Sequence, residues 1–292
     1  MSPLMPPSMP IFGSHLSVSG GYYKAVQAAQ QLGFDCVQLF TKNNNRWQGK
    51  PLVDDDIKKF RDALDAGNIS HPLSHASYLI NLASPDIALR KKSIAAMIDE
   101  LQRADALGIP FVVFHPGAYT TSSEEEGIAA IVESLDTILA DTQDLKAYPL
   151  LENTAGQGSN LGWRFEHLQW IIEGVQQQDR LGVCIDTCHA FAAGYSMENL
   201  TDFQQTVESM NSTFGLSRIK AIHLNDSKKP CGSRRDRHEH IGEGEMGLEP
   251  FRFLLNDSRF AHIPMYLETE KCEREGVAMD TINLSVLKSL LN

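Results

Sequence analysis

A chain of 292 residues, 42% hydrophobic and 22% charged, has the balance of a globular protein and the length for one large α/β domain or two small ones. Its 26 basic and 37 acidic residues leave a formal charge of −11. Such acidity excludes a protein that coats nucleic acid non-specifically, but not a nucleic-acid enzyme with a locally basic or metal-bearing cleft. No apolar run reaches the ~18 residues of a membrane span, and the opening MSPLMPPSMPIFG lacks the basic start and long apolar core of a secretory signal.

In chain order, residues 1–10 read as a Pro-rich disordered leader and residues 11–292 as the folded domain. Short apolar runs predict strands at Pro10–His15, Cys36–Phe40, Ile69–His75, Phe111–His115, Pro149–Glu152, Gly182–Asp186, Ile219–Leu224 and Pro264–Glu268. Amphipathic stretches between them predict helices at Gly20–Leu32, Asp54–Ala66, Pro85–Leu107, Ser123–Thr142, Trp163–Gln176, Met197–Phe214, Leu248–Leu255 and Asp280–Leu291. Turn chemistry agrees. Gly33, Gly67 and Gly108 each sit where a helix should stop. Ser84-Pro85-Asp86 reads as an N-cap followed by Pro at the first helical position. Eight strand–helix pairs with no leftover element match a single-domain α/β TIM barrel. An open doubly wound sheet would want a Gly-rich phosphate turn after an early strand, and Ser17-Val18-Ser19-Gly20-Gly21 is a poor one. The five cysteines, Cys36, Cys184, Cys188, Cys231 and Cys272, are odd in number and widely spread, which fits reduced thiols in a cytoplasmic compartment.

The strand ends carry the chemistry. They close on His15, His75, His115, Glu152, Asp186, His223 and Glu268, with His189 three residues beyond Asp186. In a barrel all strand C-termini meet on one face, where active sites are built. Each residue alone reads as a hydrogen-bonded strand end; together they read as a metal centre. Imidazoles and carboxylates without thiolates suit Zn, Mn or Fe. They are too many for one ion, since a catalytic zinc takes about three protein ligands and a water. Glu152 has two oxygens with which to bridge. The long loop after the seventh strand adds Asp236 and His238, and with His189 these form a further candidate site. Its Lys228, Lys229, Arg234, Arg235 and Arg237 make the loop locally positive. Two other loops read as polymer grips: Thr41-Lys42-Asn43-Asn44-Asn45-Arg46-Trp47, and Ser77-Tyr78-Leu79-Ile80-Asn81 with an aromatic and aliphatic wedge. His71, His167, His240 and His262 fall outside the pattern and read as surface or packing residues.

These segments resemble the endonuclease IV family, the zinc-dependent apurinic/apyrimidinic endonucleases. The resemblance rests on Gly13-Ser14-His15-Leu16-Ser17, Ser77-Tyr78-Leu79-Ile80-Asn81-Leu82, Phe114-His115-Pro116-Gly117, Leu151-Glu152-Asn153-Thr154-Ala155-Gly156-Gln157-Gly158, Ile185 to Tyr195, His223-Leu224-Asn225-Asp226-Ser227, Asp236-Arg237-His238, Gly242-Glu243-Gly244 and Leu267-Glu268-Thr269. It implies a barrel holding three zinc ions, with Mn²⁺ or Fe²⁺ as partial substitutes. His75, His115 and Glu152 would hold the first. Glu152, Asp186, His223 and Glu268 would hold the second, and His189, Asp236 and His238 the third. Glu152 and Glu268 would also orient the nucleophile, a zinc-activated hydroxide. His15 would support the ligands rather than join them.

The implied reaction is hydrolysis of the phosphodiester 5′ to an abasic site in duplex DNA, leaving a 3′-hydroxyl, with trimming of blocked 3′ ends. The implied protein is a monomeric, cytoplasmic DNA-repair enzyme. Tyr78 and Leu79 would enter the duplex gap. The family's Lys-Asn-x-Arg-x-Trp loop is altered: Asn45 stands where the minor-groove Arg is expected and Arg46 follows it, so Asn45 and Arg46 are the candidate groove contacts. A sugar isomerase or epimerase on the same barrel would need fewer ligands, and would have no use for Asp236, His238 or the Tyr78–Leu79 wedge. A turnover-free metal-binding scaffold would waste open coordination positions.

Overall fold

The computed structural model describes residues 9–292, so residues 1–8 of the expected leader lie outside the described residues. Strand and helix alternate from the start: β1 (Phe12–His15), α1 (Tyr22–Leu32), β2 (Cys36–Leu39), α2 (Asp54–Gly67), β3 (Ser70–His75), α3 (Ile87–Leu107), β4 (Phe111–Phe114) and α4 (Glu124–Asp141). The second half continues with β5 (Tyr148–Glu152), α5 (Phe165–Gly174), β6 (Gly182–Asp186), α6 (Thr187–Ala193), α7 (Leu200–Thr213) and β7 (Ile219–His223). Then come β8 (Asp226–Ser227), β9 (His238–Glu239), α8 (Glu249–Leu255), β10 (Met265–Leu267), β11 (Glu273–Arg274), β12 (Val277–Ala278) and α9 (Met279–Ser289). Strands β1 to β7 and β10 close into one parallel barrel, in which β10 pairs with both β7 and β1. It is a single-domain TIM barrel.

Side chains on a strand alternate between faces, and this alternation builds the molecule. Val37, Leu39, Val112, Phe114, Leu151, Val183 and Ile185 point outward and join helix residues such as Phe60, Leu101, Ile131 and Leu168 in the main core. Cys36, Leu73, Val113, Leu150, Cys184, Ala221 and Tyr266 point inward and form a separate buried layer inside the barrel. The remaining strand, β1, offers Gly13 here, because a Cβ at that position would lie 2.6 Å from the Cys36 sulfur. Two residues further along each strand, the same inward face reaches the mouth. Gln38, His75, His115, Glu152, Asp186, His223 and Glu268 each stand two residues past a member of that layer, and His15 stands two past Gly13. The site is therefore the next layer of the barrel's own interior.

Several local expectations change. The cap of α3 is Asp86, whose carboxylate accepts from Ala88 and Leu89 N–H, while Ser84 bonds the Asp86 N–H two residues upstream. Asp86 thereby satisfies donors that a Ser84 cap would leave too far away. At the end of α2 the left-handed residue is Asn68 (φ 51°) rather than Gly67. Ser123 and Glu126 form a reciprocal capping box at α4. The expectation of no leftover element fails: α6 and two antiparallel ribbons, β8–β9 and β11–β12, lie outside the eight strand–helix pairs. Among the described residues, no helix is long and apolar enough to cross a membrane.

Candidate metal centre

The mouth layer, together with α6 and the β8–β9 ribbon, assembles three sets of donors, the first two sharing Glu152: His75, His115 and Glu152; Glu152, Asp186, His223 and Glu268; and His189, Asp236 and His238. Within each set one donor atom per residue lies within 4.8 Å of the others. Glu152 is fully buried and divides its oxygens. Its Oε2 lies 3.1 Å from Nε2 of both His75 and His115, and its Oε1 lies 2.9 Å from His223 Nδ1. Glu268 Oε2 meets the same His223 nitrogen at 3.2 Å. Asp186 Oδ2 looks both ways, 3.9 Å from His223 Nδ1 and 3.5 Å from His238 Nε2. Its other oxygen caps α6 by accepting the His189 N–H at 2.7 Å. One carboxylate thus ends a strand, starts a helix and aims the next imidazole.

Hydrogen bonds on the far side of the rings fix which nitrogen faces inward. His75 Nδ1 donates to the Ala76 carbonyl at 2.8 Å, His189 Nδ1 to the Asn153 carbonyl at 2.9 Å, and His238 Nδ1 to the Glu268 carbonyl at 3.3 Å. Each then presents a bare Nε2. His223 is reversed: its Nε2 donates to Gln38 Oε1 at 2.8 Å, leaving Nδ1 for the cluster. The Gln38 amide cannot be turned around, because its nitrogen donates to Glu268 and to His15 Nδ1. Such outer partners hold metal-binding imidazoles in one tautomer.

The donor set fits divalent cations. The bare Nε2 atoms of His189 and His238 face each other at 3.4 Å, with Asp236 Oδ2 3.2 Å from His189. Lone pairs and carboxylates at that spacing require a cation among them. Without metal, that cation is the proton. Burial favours neutral imidazoles, yet Cys184, Glu268 and Glu152 push His223 well above its ordinary range, and Asp186 and Asp236 do the same for His189. Burial likewise opposes ionisation of Glu152, Asp236 and Glu268, but the surrounding imidazoles hold all three carboxyls below the usual range. Cys188 shares a group with Asp186 and His238, but burial pushes its thiol up to about 12 and its sulfur contacts the Arg237 carbonyl. It is a packed thiol.

The ribbon β8–β9 carries His238 to the site by pairing it with Ser227. The segment that follows β9 is folded back on buried Asp226, which accepts N–H groups from Ser227, Gly242, Gly244 and Met246 at 2.7–3.0 Å. Gly244 has no room for a side chain, since a Cβ would lie 2.4 Å from the Ser227 carbonyl oxygen. This accounts for the second glycine of the Gly242-Glu243-Gly244 motif.

Beside the donors, Tyr78 is 58% exposed and its ring lies 5.1 Å from His75 and 5.7 Å from His115. Leu79 is half-buried next to it, and Asn45 and Arg46 are exposed. Ser77 Oγ bonds the Asn44 carbonyl at 2.5 Å, which ties the two loops into one rim. Lys42 is not part of the cationic surface expected there; it is buried against Asp99 (2.6 Å) and Glu100 (3.5 Å). Lys92 on α3 takes its place, with its ammonium 4.3 Å from the Trp47 ring. Neither Gln38 nor Lys92 stood out in the sequence. The polar Gln38 inside an otherwise apolar strand was the available signal.

The family model described as a xylose isomerase-like TIM barrel matches residues 26–289. The chain is 46% identical to the probable endonuclease 4 of Citrifermentans bemidjiense over 283 residues, covering 97% of this chain and 99% of that protein. It is likewise 46% identical to the probable endonuclease 4 of Chloroflexus aurantiacus, over 97% of this chain and 99% of that protein. Among solved structures, the endonuclease IV of Thermus thermophilus superposes with a TM-score of 0.83 at 35% identity, covering 96% of this chain and 98% of that one. A D-tagatose 3-epimerase-like protein shares the fold alone, with a TM-score of 0.73 at 20% identity and 96% of each chain covered.

Proposed function

The chain belongs to the endonuclease IV family, and from that membership we propose that it is a DNA-repair phosphodiesterase. It hydrolyses the bond 5′ to an abasic site in duplex DNA, leaves a 3′-hydroxyl and trims blocked 3′ ends. The observation that carries this reading is the division of nine donors into three adjoining sets, the first two sharing Glu152 and the third reached through Asp186.

His75, His115 and Glu152 would hold one zinc ion. Glu152, Asp186, His223 and Glu268 would hold a second, and His189, Asp236 and His238 a third; Mn²⁺ or Fe²⁺ can replace part of them. Bound zinc supplies Lewis acidity toward the phosphoryl oxygens and lowers the pKa of a coordinated water from 15.7 to about 7. The chain's own contribution is positional. Gln38 keeps His223 in one tautomer and holds Glu268 against it. Glu152 and Glu268 orient the nucleophile toward phosphorus, and no other side chain is needed as a general base. Tyr78 and Leu79 fill the gap left by the displaced nucleotide, while Asn45, Arg46 and Lys92 contact the flanking strand. The enzyme acts as a monomer.

Zinc analysis of the purified protein should give three ions per chain, and the loaded protein should cut a duplex at a single abasic site. One ion or none would sink the trinuclear assignment. An uncut abasic duplex alongside turnover of a ketose would replace the nuclease with an epimerase. Tyr78→Ala should weaken binding to abasic duplex by roughly tenfold, the scale of losing one aromatic stack of ~1–3 kcal/mol; unchanged affinity would return Tyr78 to a packing role.

A further inference from the structure

Arg234 adopts a left-handed backbone (φ 52°), a conformation that costs an ordinary side chain energy and that glycine or asparagine would take more cheaply. Its guanidinium lies 3.8 Å from the centroid of the Trp163 ring, a close cation–π stack between two loops. Trp163 in turn packs against Gly156, where an added Cβ would come within 2.8 Å of the Trp163 Cβ and Cγ. Gly156 belongs to the loop that leaves Glu152. On the backbone side, Arg234 N–H donates to the Ala192 carbonyl at 2.8 Å and Gly232 N–H to the Phe191 carbonyl at 3.0 Å. Those are end carbonyls of α6, the short helix that carries His189. Two residues beyond Arg234 comes Asp236, which faces His189.

We infer that Arg234 and Trp163 form a latch that positions the third donor set, holding Asp236 and His238 against His189. The latch joins three segments the set depends on: the loop after β5, the end of α6 and the loop before β9. The strained backbone at Arg234 is the cost of aiming its side chain at the indole. Both are positioning residues, since neither contributes a donor atom. The inference rests on the three-ion reading above.

The test is zinc content and zinc release to a chelator for the full-length wild type, Arg234→Gly, Arg234→Lys and Trp163→Leu. Arg234→Gly removes the stack and relieves the backbone, so it should fold at least as well as the wild type. The expected result is three ions in the wild type. In Arg234→Gly and Trp163→Leu, one ion should leave at least tenfold faster while the other two are unchanged. Arg234→Lys, which keeps a cation over the ring, should fall between. Melting temperatures of the metal-free proteins should match. If Arg234→Gly releases all three ions at wild-type rates, the latch is wrong and the three-ion reading stands. If the wild type itself holds fewer than three ions, the reading falls and the latch falls with it.

Discussion

Gln38 shows how much one side chain decides at this site. It stands in β2 two residues past Cys36, on the inward face, and is fully buried. A buried amide must find partners for both ends, and Gln38 finds His223 at one and Glu268 and His15 at the other. Burial pushes the His15 imidazole down, so it accepts the Gln38 N–H as a neutral ring. Replacing Gln38 with Leu keeps the bulk and removes the lock on the His223 tautomer. Zinc affinity at the set built on Glu152, Asp186, His223 and Glu268 should drop by roughly 10–100-fold, the usual cost of losing an outer-shell partner. Equilibrium zinc titration checks this; unaltered affinity would show that His223 is oriented by packing alone. Gln38 escapes a reading of strand ends, because β2 runs one residue past the layer that matters.

At the scale of elements, the segment that follows β9 is the part most dependent on a single anchor. Asp226 gathers four backbone N–H groups that no strand or helix would satisfy. Asp226→Ala leaves those donors without their acceptor, those of Ser227 and Met246 on buried residues. The expected loss is about 3 kcal/mol, the scale of losing hydrogen bonds to a buried charged group, together with loss of zinc from the His189, Asp236 and His238 set. Thermal unfolding and metal analysis would read both; a variant that melts like wild type with full zinc would remove Asp226 from this role. The Asp236-x-His238 pair that leads into β9 was legible as a donor source. The ribbon that presents it was not, because two-residue strands carry no periodic signal. Helix α6 was missed for the same reason: seven residues of mostly small side chains make too few turns to show an apolar stripe.

For the whole molecule, the central fact is a cluster of negative charge sunk in an acidic protein. In the metal-free chain His189 and His223 take up balancing protons. His189 and His223 are raised above their ordinary 6.5, so their stabilising effect is complete below pH 6.5 and is lost as pH rises through the raised values. Glu152 and Glu268 are held below their ordinary 4.5, so their contribution is present above pH 4.5 and lost as pH falls through the lowered values. The metal-free protein should therefore melt highest between about pH 4.5 and 6.5. The extra stability from added zinc should grow as pH rises beyond that window, because metal then replaces departing protons instead of competing with them. Calorimetry with and without chelator across pH 5 to 9 tests the sign; a zinc increment that shrinks with pH would contradict it. Four of the nine donors are carboxylates, and three divalent ions would outweigh them. DNA affinity should accordingly depend on loaded metal and fall as salt rises.

The amino-acid sequence by itself determined the barrel and its mouth. Alternation of short apolar runs with amphipathic helices dictates eight βα units, and the period of two along a strand dictates that one face fills the interior while its continuation arms the rim. His75, His115, Glu152, Asp186, His223 and Glu268 were legible for that reason, each from its own strand alone. Only the tertiary structure decided what depends on strands meeting. Barrel closure brings Gln38 to His223 across 185 residues, turns Lys42 inward to Asp99, lets Lys92 settle on Trp47 and stacks Arg234 on Trp163. Those contacts join segments with no common period. Their existence depends on side-chain direction and ring closure, which no single stretch of sequence encodes.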